Sequence, residues 1–385
     1  MKVYIGCFGS GLGHASRMME IARELKTRGA EVEFSSSGEV ASIISSKGYR
    51  CNRVPLADVH YSVSGVFQVM ETVLDFPTIL AQTYRQLAYE LANIGSFSPD
   101  VVLSDSAMPT VIAGKIHRLP VFTVLNQLNL TSSHRRRGAP SRVLSVGTSA
   151  IMGRLWELSD EILLPDLPPP FTISEKNLWG SRIEKTRYVG FLLPTEAVIP
   201  DEAAKEFAVD IRPKVYWQVS GPPRTRTPFL RMAMEFAQQL KDRYAFTISG
   251  GDPGGKTSPH RIGRGWYYEW CDIADFYFQN CDVVVARAGH GTVGQAIVSM
   301  KPSLLIPIPK QPEQEGNAEK ASKLGVAKVV SQGDMSLKVL QESVDSLMDG
   351  GYRDRVSKLG HIARGYNGRT AIVATIEAAA MRGRQ

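Results

Sequence analysis

The chain has 385 residues, 43% of them hydrophobic and 22% charged, and its 45 Lys and Arg against 38 Asp and Glu give a net charge of +7. At about 100 to 200 residues per domain, this length predicts two domains with separate cores and a cleft between them. The composition is that of an ordinary globular protein and excludes a disordered chain. The sequence contains neither a charge-free run of about 18 apolar residues nor a signal-peptide pattern, so we expect a cytoplasmic protein.

The four cysteines, Cys7, Cys51, Cys271 and Cys281, are far apart and form no Cys-x-x-Cys pair. This spacing favours a reducing compartment and core packing, and it argues against a thiolate zinc site. The positive net charge favours an anionic partner. Nucleotide, nucleic acid and acidic lipid all remain open at this point.

The first half of the chain alternates apolar runs with helical patterns. Residues 3–8 form an apolar run, and a glycine-rich loop then leads into a predicted helix over 15–28 with one apolar face and a terminating Gly29. The alternation predicts a parallel, doubly wound α/β sheet. Its further strands are predicted at 32–34, 101–103, 121–125, 162–164 and 188–193.

Proline-rich stretches at 165–170 and 194–200 are typical of linkers, and the alternation starts again after the second one. We therefore predict an N-terminal domain over 1–195 and a C-terminal domain over 196–366. A final helix over 367–385, capped at Asn367, either closes the second domain or packs back on the first. The strands predicted in the second domain are 215–219, 246–249, 283–286, 304–308 and 328–330.

Residues 250–257, GGDPGGKT, fit the P-loop pattern of ATPases and follow a predicted strand. A P-loop continues into a helix whose N-terminal amides point at the phosphates, whereas residues 258–265 contain a proline and two glycines there. No apolar strand ending in aspartate is placed to hold the magnesium ion. The segment therefore favours a surface turn over an ATPase site.

A second glycine-rich loop contains Gly9, Gly11 and Gly13 and ends at His14, between a predicted strand and a predicted helix. Ligands of open α/β folds bind at this edge of the sheet. The spacing GxGxG, and a second strand that ends in serines, argue against a nicotinamide dehydrogenase. Glycines that only permit a tight turn are the alternative. A histidine here can accept a proton from a hydroxyl, so His14 is the candidate base.

A third loop joins strand 283–286 to a helix. Gly289 and Gly291 allow backbone amides to approach a ligand, and Thr292 adds a hydroxyl at the helix start. The helix dipole favours an anion at that end. We therefore predict that the amides of Gly289, His290 and Gly291 bind a diphosphate. Strand 304–308 brings a polar loop, 309–318, to the same edge.

These segments resemble the GT-B glycosyltransferases close to family 28, typified by the N-acetylglucosaminyltransferase of peptidoglycan lipid II synthesis and by the diacylglycerol glycosyltransferases. Residues 9–14 match the family's GxGGH loop, and residues 282–296 with 307–318 match its donor-binding region. The resemblance covers most of the chain. It implies two doubly wound, Rossmann-like domains facing across a cleft, with the acceptor bound by the first domain and the nucleotide sugar by the second.

The resemblance also implies which residues contact a UDP-sugar donor. The uracil would lie against the backbone of Trp270 and Cys271, and the diphosphate against residues 289–292. Gln295 stands where the family has a ribose-binding glutamate, and Glu313 replaces a glutamine of the motif that reads sugar hydroxyls. The full set is Ser220, Gly221, Trp270, Cys271, Gly289, His290, Gly291, Thr292, Gln295, Glu313, Gln314 and Asn317.

On the acceptor side, the resemblance implies contacts from Gly11, Gly13 and Asn126. Asp105, at the end of strand 101–103, is either a second carboxylate in the cleft or a turn residue. In the second domain the loop at 219–224 departs from the family pattern, because its two prolines remove amide donors.

The sequence has no DxD motif and no close His or Asp cluster with metal-ligand spacing. We therefore expect no metal and no cofactor beyond the UDP-sugar as co-substrate. Backbone amides and helix N-termini would stabilise the leaving diphosphate instead. By resemblance, the displacement would invert the anomeric centre.

A basic run at 134–137 and a charge-poor apolar stretch at 61–80 favour a lipid-linked hydroxyl acceptor and peripheral contact with the inner face of an anionic membrane. The alternative is a solvated charge run beside an ordinary core helix. A hexose or an N-acetylhexosamine would be the transferred sugar.

Two other functions remain as alternatives. A UDP-sugar 2-epimerase or hydrolase of the same fold would need several carboxylates in the cleft, and the first domain offers few beyond Asp105. A nucleic-acid-binding protein would suit the net charge, but no RNP pattern, helix-turn-helix signature or zinc spacing is present. We therefore predict a glycosyltransferase and no nucleic-acid partner.

Overall fold

The computed structural model describes residues 1–9, 11–55, 76–127, 154–178, 185–193 and 199–382. The N-terminal domain contains a 7-stranded sheet in the order β3-β2-β1-β4-β5-β6-β7, in which neighbouring strands are parallel. The strands are β1 (Lys2–Cys7), β2 (Glu31–Ser36), β3 (Arg50–Arg53), β4 (Val101–Asp105), β5 (Val121–Val124), β6 (Glu161–Leu164) and β7 (Thr186–Tyr188).

Helices pack on both faces of this sheet. The first helix buries Ala15, Met18, Ile21 and Leu25 on one face, the spacing that the sequence predicted, and it ends before Gly29, whose φ is +79°. The helices are α1 (Leu12–Thr27), α2 (Gly38–Ser46), α3 (Phe76–Phe97), α4 (Met108–Ile116) and α5 (Glu175–Leu178).

The second sheet also has 7 strands, in the order β10-β11-β9-β8-β12-β13-β14, and only β10 runs antiparallel to its neighbour. Its central strands are fully buried because helices cover both faces. The strands are β8 (Lys214–Gln218), β9 (Ala245–Ser249), β10 (His260–Ile262), β11 (Gly265–Tyr268), β12 (Val283–Ala286), β13 (Ser303–Leu305) and β14 (Ala327–Val329). The predicted pair of doubly wound parallel-sheet domains is thus confirmed.

Eight helical segments accompany this second sheet along the chain, and one of them is a short 3-10 helix. They are α6 (Glu202–Val209), α7 (Pro223–Gln239), α8 (Ala274–Asn280), α9 (His290–Val298), α10 (Pro312–Lys323), the 3-10 turn Gln332–Asp334, α11 (Leu337–Met348) and α12 (Gly350–Arg364).

The last helix, α13 (Gly368–Arg382), returns to the first domain. Asn367 caps it by accepting a hydrogen bond from the Thr370 amide at 3.1 Å. Ile372, Val373 and Ile376 are fully buried in the core formed by β1, β2 and α1. Each such side chain contributes about 1.5 to 3 kcal/mol by leaving water. The sequence left this packing open, and the structure decides it.

Two predicted strands are shorter than expected. The strand predicted at 188–193 ends at Tyr188, because Gly190 adopts a φ of +89° that breaks the extended backbone. The strand predicted at 304–308 ends at Leu305, since Pro307 has no amide to continue the ladder. Both predictions were wrong over their last residues.

Two features of the sheets were missed. The strand β3 has the sequence RCNR, which carries no apolar run. The antiparallel pair β10 and β11 lies beyond the P-loop-like segment, among glycines that indicated only a turn. A P-loop requires a helix directly after the loop, whereas β9 is followed by an irregular loop and then by β10, with no helix between Lys256 and β10. This order of elements excludes a P-loop.

The two domains meet through an apolar cluster. Leu167, Ile173 and Phe191 of the first domain pack with Ala288 and Val293 beside the start of α9. Most of the apolar stretch at 61–80 and all of the basic run at 134–137 lie outside the described residues. Within the part of the chain that the structure describes, no helix is long and apolar enough to cross a membrane.

Candidate active site

The first half of the site lies where the strand order reverses, between β1 and β4. Cys7 and Asp105, the last residues of these two strands, are register partners. Helices leave this edge on opposite faces, so the carboxyl ends of the two strands border a crevice. Gly11 caps α1 with a φ of +93°, and Gly13 is exposed with nothing within 4 Å of a Cβ placed there. His14 follows on the first turn.

His14 and Asp105 form a close pair. The Nδ1 atom of His14 lies 2.9 Å from Oδ1 of Asp105, whose side chain is fully buried, whereas the imidazole is 21% exposed. Nδ1 also lies 3.0 Å from Nη2 of Arg17, a group that can only donate. We assign the hydrogen to Nδ1, because the charged Asp105 carboxylate can only accept a hydrogen bond. The Nε2 atom of His14 is then the free, basic nitrogen. Asp105 is therefore a buried carboxylate paired with His14, and it is His14 that is partly exposed.

Arg17, which sequence reasoning missed, completes this group. Its Nε donates to Oδ2 of Asp105 at 2.6 Å, and its Nη2 donates to Oδ1 of the same carboxylate. Its Nη1 donates to Oδ1 of Asn126 at 3.3 Å. Arg17 stands three residues after His14, which places both side chains on one face of α1. That spacing was the available signal.

The charges around Asp105 explain its ionisation. Burial raises the pKa of this carboxyl, but the Arg17 guanidinium and the His14 imidazole lower it to about 2 from 3.8. Asp105 is therefore an anion at neutral pH. A buried anion beside His14 stabilises the imidazolium that forms when this histidine accepts a proton.

Hydrogen bonds between described residues cross the cleft. Asn126, two residues beyond the end of β5, donates from Nδ2 to Oε1 of Glu313 at 3.2 Å. Arg226 of α7 donates to Glu39 of α2 at 3.1 Å. The first of these contacts joins the group around Asp105 to a residue in the first turn of α10, on the donor side of the cleft.

The second half of the site is the start of α9. The first helical hydrogen bond runs from the Val293 amide to the Gly289 carbonyl at 3.0 Å, so the amides of His290, Gly291 and Thr292 have no acceptor within the helix. Gly291 is exposed, and nothing lies within 4 Å of a Cβ placed there. The arrangement has the amide density and dipole direction of an anion site.

The His290 side chain points away from this end. It is 6% exposed, and its Nε2 lies 3.0 Å from Oδ2 of Asp166 in the other domain. The contribution of His290 to an anion at the helix start is therefore its backbone amide. The imidazole belongs to the domain interface, which the sequence did not indicate.

The predicted ribose position contains a carboxylate that the sequence did not single out. The Nε2 atom of Gln295 donates to Oδ1 of Asp275, in the first turn of α8. An acidic group is thus present beside Gln295, supplied by a different helix. Trp270 and Cys271 follow the carboxyl end of β11, and the Trp270 amide donates to the Lys256 carbonyl at 3.2 Å.

The three residues of the motif predicted to bind sugar hydroxyls differ in how exposed their side chains are. Glu313 is partly exposed toward the cleft, whereas Gln314 and Asn317 are 6% and 0% exposed. Gln314 accepts from the Ile308 amide at 2.9 Å, and Asn317 donates to the Ala288 carbonyl at 3.0 Å. Gln314 and Asn317 thus stabilise, by these hydrogen bonds, the loop that contains Ile308 and the loop that contains Ala288.

The remaining predicted donor residues lie on the loop after β8. Ser220 and Gly221 are partly exposed at the carboxyl edge of the sheet, and Gly221 adopts a φ of +101°. Pro222 and Pro223 follow at the start of α7, so this helix begins with fewer amide donors than α9. Among the described residues, no group of three or more His, Cys, Asp or Glu side chains has the geometry of a metal site.

Two family models match the chain. The glycosyltransferase family 28 C-terminal domain matches residues 235–358, and glycosyl transferase family 1 matches residues 1–142. These regions contain the start of α9 and the His14 loop, respectively.

Individual proteins agree with the models. An uncharacterized glycosyltransferase of Methanosarcina mazei is 28% identical over 386 residues, which cover 98% of each chain. The UDP-N-acetylglucosamine--N-acetylmuramyl-(pentapeptide) pyrophosphoryl-undecaprenol N-acetylglucosamine transferase of Prochlorococcus marinus is 39% identical over 71 residues, 18% of this chain and 20% of that one. The structure of the spinosyn rhamnosyltransferase SpnG complexed with thymidine diphosphate matches with a TM-score of 0.71 and 18% identity, covering 98% of this chain and 100% of SpnG.

The fold, the paired strand–loop–helix edges and these matches agree with the resemblance noted from the sequence. The chain is a glycosyltransferase of the GT-B fold, and its residues 235–358 match the C-terminal domain of glycosyltransferase family 28.

Proposed function

We propose that the protein transfers a hexose or N-acetylhexosamine from a UDP-sugar to a hydroxyl acceptor, without a metal ion and with inversion at the anomeric carbon. The observation that carries this proposal is the pairing of His14 with the buried anion Asp105, 2.9 Å away, on the face of the cleft opposite the free amides of α9. A base and an anion site on facing domains are what a displacement at a sugar diphosphate requires.

In the proposed reaction, Nε2 of His14 takes the proton of the acceptor hydroxyl. The hydroxyl oxygen then bonds to the anomeric carbon as the bond from that carbon to the diphosphate oxygen breaks. Attack from the acceptor side and departure on the donor side invert the configuration. Asp105 stabilises the imidazolium, and Arg17 holds Asp105 in place by two hydrogen bonds to its carboxylate.

The protein would stabilise the leaving diphosphate without a metal ion. The amides of residues 290–292 and the dipole of α9 meet the charge that develops on the departing oxygen. The ribose diol would bind Gln295 and Asp275, and Glu313 would bind sugar hydroxyls. Ser220, Gly221 and the backbone at Trp270 and Cys271 would border the nucleotide.

Uracil is the base we propose, because the segment similar to the P. marinus transferase belongs to an enzyme named for UDP-N-acetylglucosamine. The thymidine diphosphate bound to SpnG makes dTDP the principal competing donor nucleotide. We further propose a lipid-linked acceptor and contact with the inner face of an anionic membrane. The basic run at 134–137 and the apolar stretch at 61–80 support this.

A thermal-shift panel of UDP, dTDP, GDP and ADP sugars tests the donor. A ligand that binds only the folded state stabilises the protein by about 2.7 kcal/mol when its concentration is one hundred times its Kd. The melting temperature of the protein rises as a result. We expect a response to UDP-sugars above all others. A response to dTDP-sugars alone would overturn the uracil assignment, and a response to none would overturn the donor site.

NMR of UDP-N-acetylglucosamine, with and without diacylglycerol vesicles or dodecanol, tests the reaction. We expect a new glycoside with inverted anomeric configuration only when an acceptor is present. Epimer or free sugar formed by enzyme and donor alone would favour the epimerase or hydrolase of the same fold. Tight, salt-dependent binding of oligonucleotides without UDP binding would instead favour a nucleic-acid partner.

A further inference from the structure

Asp166 lies in the loop after β6 of the first domain and is 0% exposed. Its Oδ1 accepts from the amides of Leu167 and Ile173 at 2.7 and 3.1 Å, and its Oδ2 accepts from the Ser174 amide at 2.8 Å and the Ser174 hydroxyl at 2.7 Å. Burial raises the pKa of Asp166, but His290 and Ser174 lower it below its ordinary value. The loop is thus folded around an ionised carboxylate.

His290 supplies the one described contact to Asp166 that comes from the second domain. Its Nε2 lies 3.0 Å from Oδ2, and both side chains are nearly inaccessible, at 5% and 0%. The pair is enclosed by the apolar cluster that contains Leu167, Phe191 and Val293, and the His290 ring lies 5.7 Å from that of Phe191. In such surroundings a charge-assisted hydrogen bond is strong and directional.

The hydrogen bond to Asp166 acts on the start of α9, because His290 lies there. His290 is the first residue of α9, and its amide is the first of the three that have no acceptor within the helix. The Ala288 carbonyl, two residues earlier, accepts from Asn317, and Asn317 in turn accepts from Asn177 of the first domain at 3.0 Å. The loop before α9 is therefore fixed by hydrogen bonds that involve Asn317 of the second domain and Asn177 of the first.

We propose that Asp166 is a positioning residue of the donor site: through His290 it fixes the first turn of α9, so that the amides of this turn meet the donor diphosphate. The inference rests on the proposed diphosphate site. It means that the first domain, which is expected to bind the acceptor, also supplies a residue on which donor affinity depends.

Calorimetric titration of the full-length protein with UDP tests the inference through His290 variants. His290→Ala removes the tether, whereas His290→Gln keeps an amide donor close to the place of Nε2. We expect the Kd for UDP to rise about tenfold in His290→Ala, as for the loss of one charge-assisted hydrogen bond, and to stay within about threefold in His290→Gln. The donor KM should follow the Kd, with a smaller change in kcat.

Asp166→Asn provides the partner of a double-mutant cycle. Its amide would meet the donors that the carboxylate now accepts from, so we expect weaker UDP binding, and little further loss when His290→Ala is added. Glu175→Gln is the matched control, because it breaks a different contact between the domains, that of Glu175 with Lys320, at the exposed surface. Its Kd for UDP should equal that of the wild type.

The outcomes separate the two proposals. A wild-type protein that does not bind UDP would contradict the diphosphate site itself. Wild-type binding with an unchanged Kd in His290→Ala would overturn the positioning role while leaving that site intact. Equal losses in His290→Ala and His290→Gln would also overturn it, because the hydrogen bond would then be irrelevant. If Asp166→Asn does not fold, the two His290 variants still decide the question.

Discussion

Replacing Asp105 by asparagine removes the anion between His14 and Arg17 while keeping the side-chain shape. The carboxyl is fully buried, yet its pKa is lowered from 3.8 to about 2, so its contacts outweigh the cost of burial by about 2 kcal/mol. The substitution also leaves the Arg17 guanidinium, which is 10% exposed, without its counter-ion. Breaking a buried pair on one side costs about 3 to 5 kcal/mol of the free energy of unfolding.

Two assays follow the consequences of Asp105→Asn. Thermal unfolding should occur on the order of 10 °C lower, since 1 kcal/mol moves the midpoint of a domain of this size by about 2 to 4 °C. The rate of UDP release, measured with a UDP-sugar and the acceptor found in the NMR panel, should fall about 10²- to 10⁴-fold, the usual contribution of a positioned base. Donor KM should change little, because the Asp105 side chain is fully buried and so is not available to a ligand.

The double variant Arg17→Met, Asp105→Asn separates folding from catalysis. It removes both buried charges, so we expect much of the lost melting temperature to return. The rate should stay low, because His14 still lacks its anionic partner. A single Asp105→Asn variant that keeps its rate to within about threefold would refute the reasoning, and so would a double variant that regains both stability and rate.

Three further predictions concern acid stability, the start of α9 and a buried carboxyl. Folding lowers the pKa of Asp105, so the stabilisation by this carboxylate is present above about pH 4 and is lost as the pH falls to about 2. In urea unfolding, the free energy of unfolding of the wild type should therefore fall by about 2 kcal/mol more than that of Asp105→Asn over this range. Gly291→Val should weaken UDP binding by tenfold or more without lowering the melting temperature, because nothing lies within 4 Å of a Cβ placed there. Gly350→Val has equal space and should leave UDP binding unchanged, so equal affinities in the two variants would contradict the anion site. Glu90 accepts hydrogen bonds from the Tyr4 and Ser35 hydroxyls at 2.8 and 2.6 Å, and burial raises the pKa of its carboxyl. In chemical denaturation, Glu90→Gln should lower the free energy of unfolding by less than about 1 kcal/mol and Glu90→Ala by about 2 to 4 kcal/mol. Similar losses in both variants would show that the carboxyl acts as a charge.

The two glycine-rich edges could be predicted because their signals are local. A strand, a glycine loop and a helix follow one another within about 15 residues at both His14 and Gly291, and the chemistry follows from that order. Individual strands also follow from apolar runs such as 283–286. Their ends could not be predicted at Gly190 and Pro307, where one backbone angle or one missing amide stops the ladder.

The contacts between distant segments could not be predicted in the same way. Arg17 meets Asn126 over 109 positions of sequence, and His290 meets Asp166 over 124. No periodicity links residues so far apart, since their meeting depends on strand order and domain packing. The motif of Asn317 predicts a sugar contact, but it gave no sign that this side chain is fully buried and donates to the Ala288 carbonyl.

The central claim is that the free amides of α9 bind the diphosphate of a nucleotide sugar while His14 faces the acceptor. A crystal structure of the protein with UDP tests it most directly. The account predicts phosphate oxygens within hydrogen-bond distance of the amides of residues 290–292, across the cleft from Nε2 of His14. A diphosphate bound elsewhere, with the start of α9 empty, would contradict it.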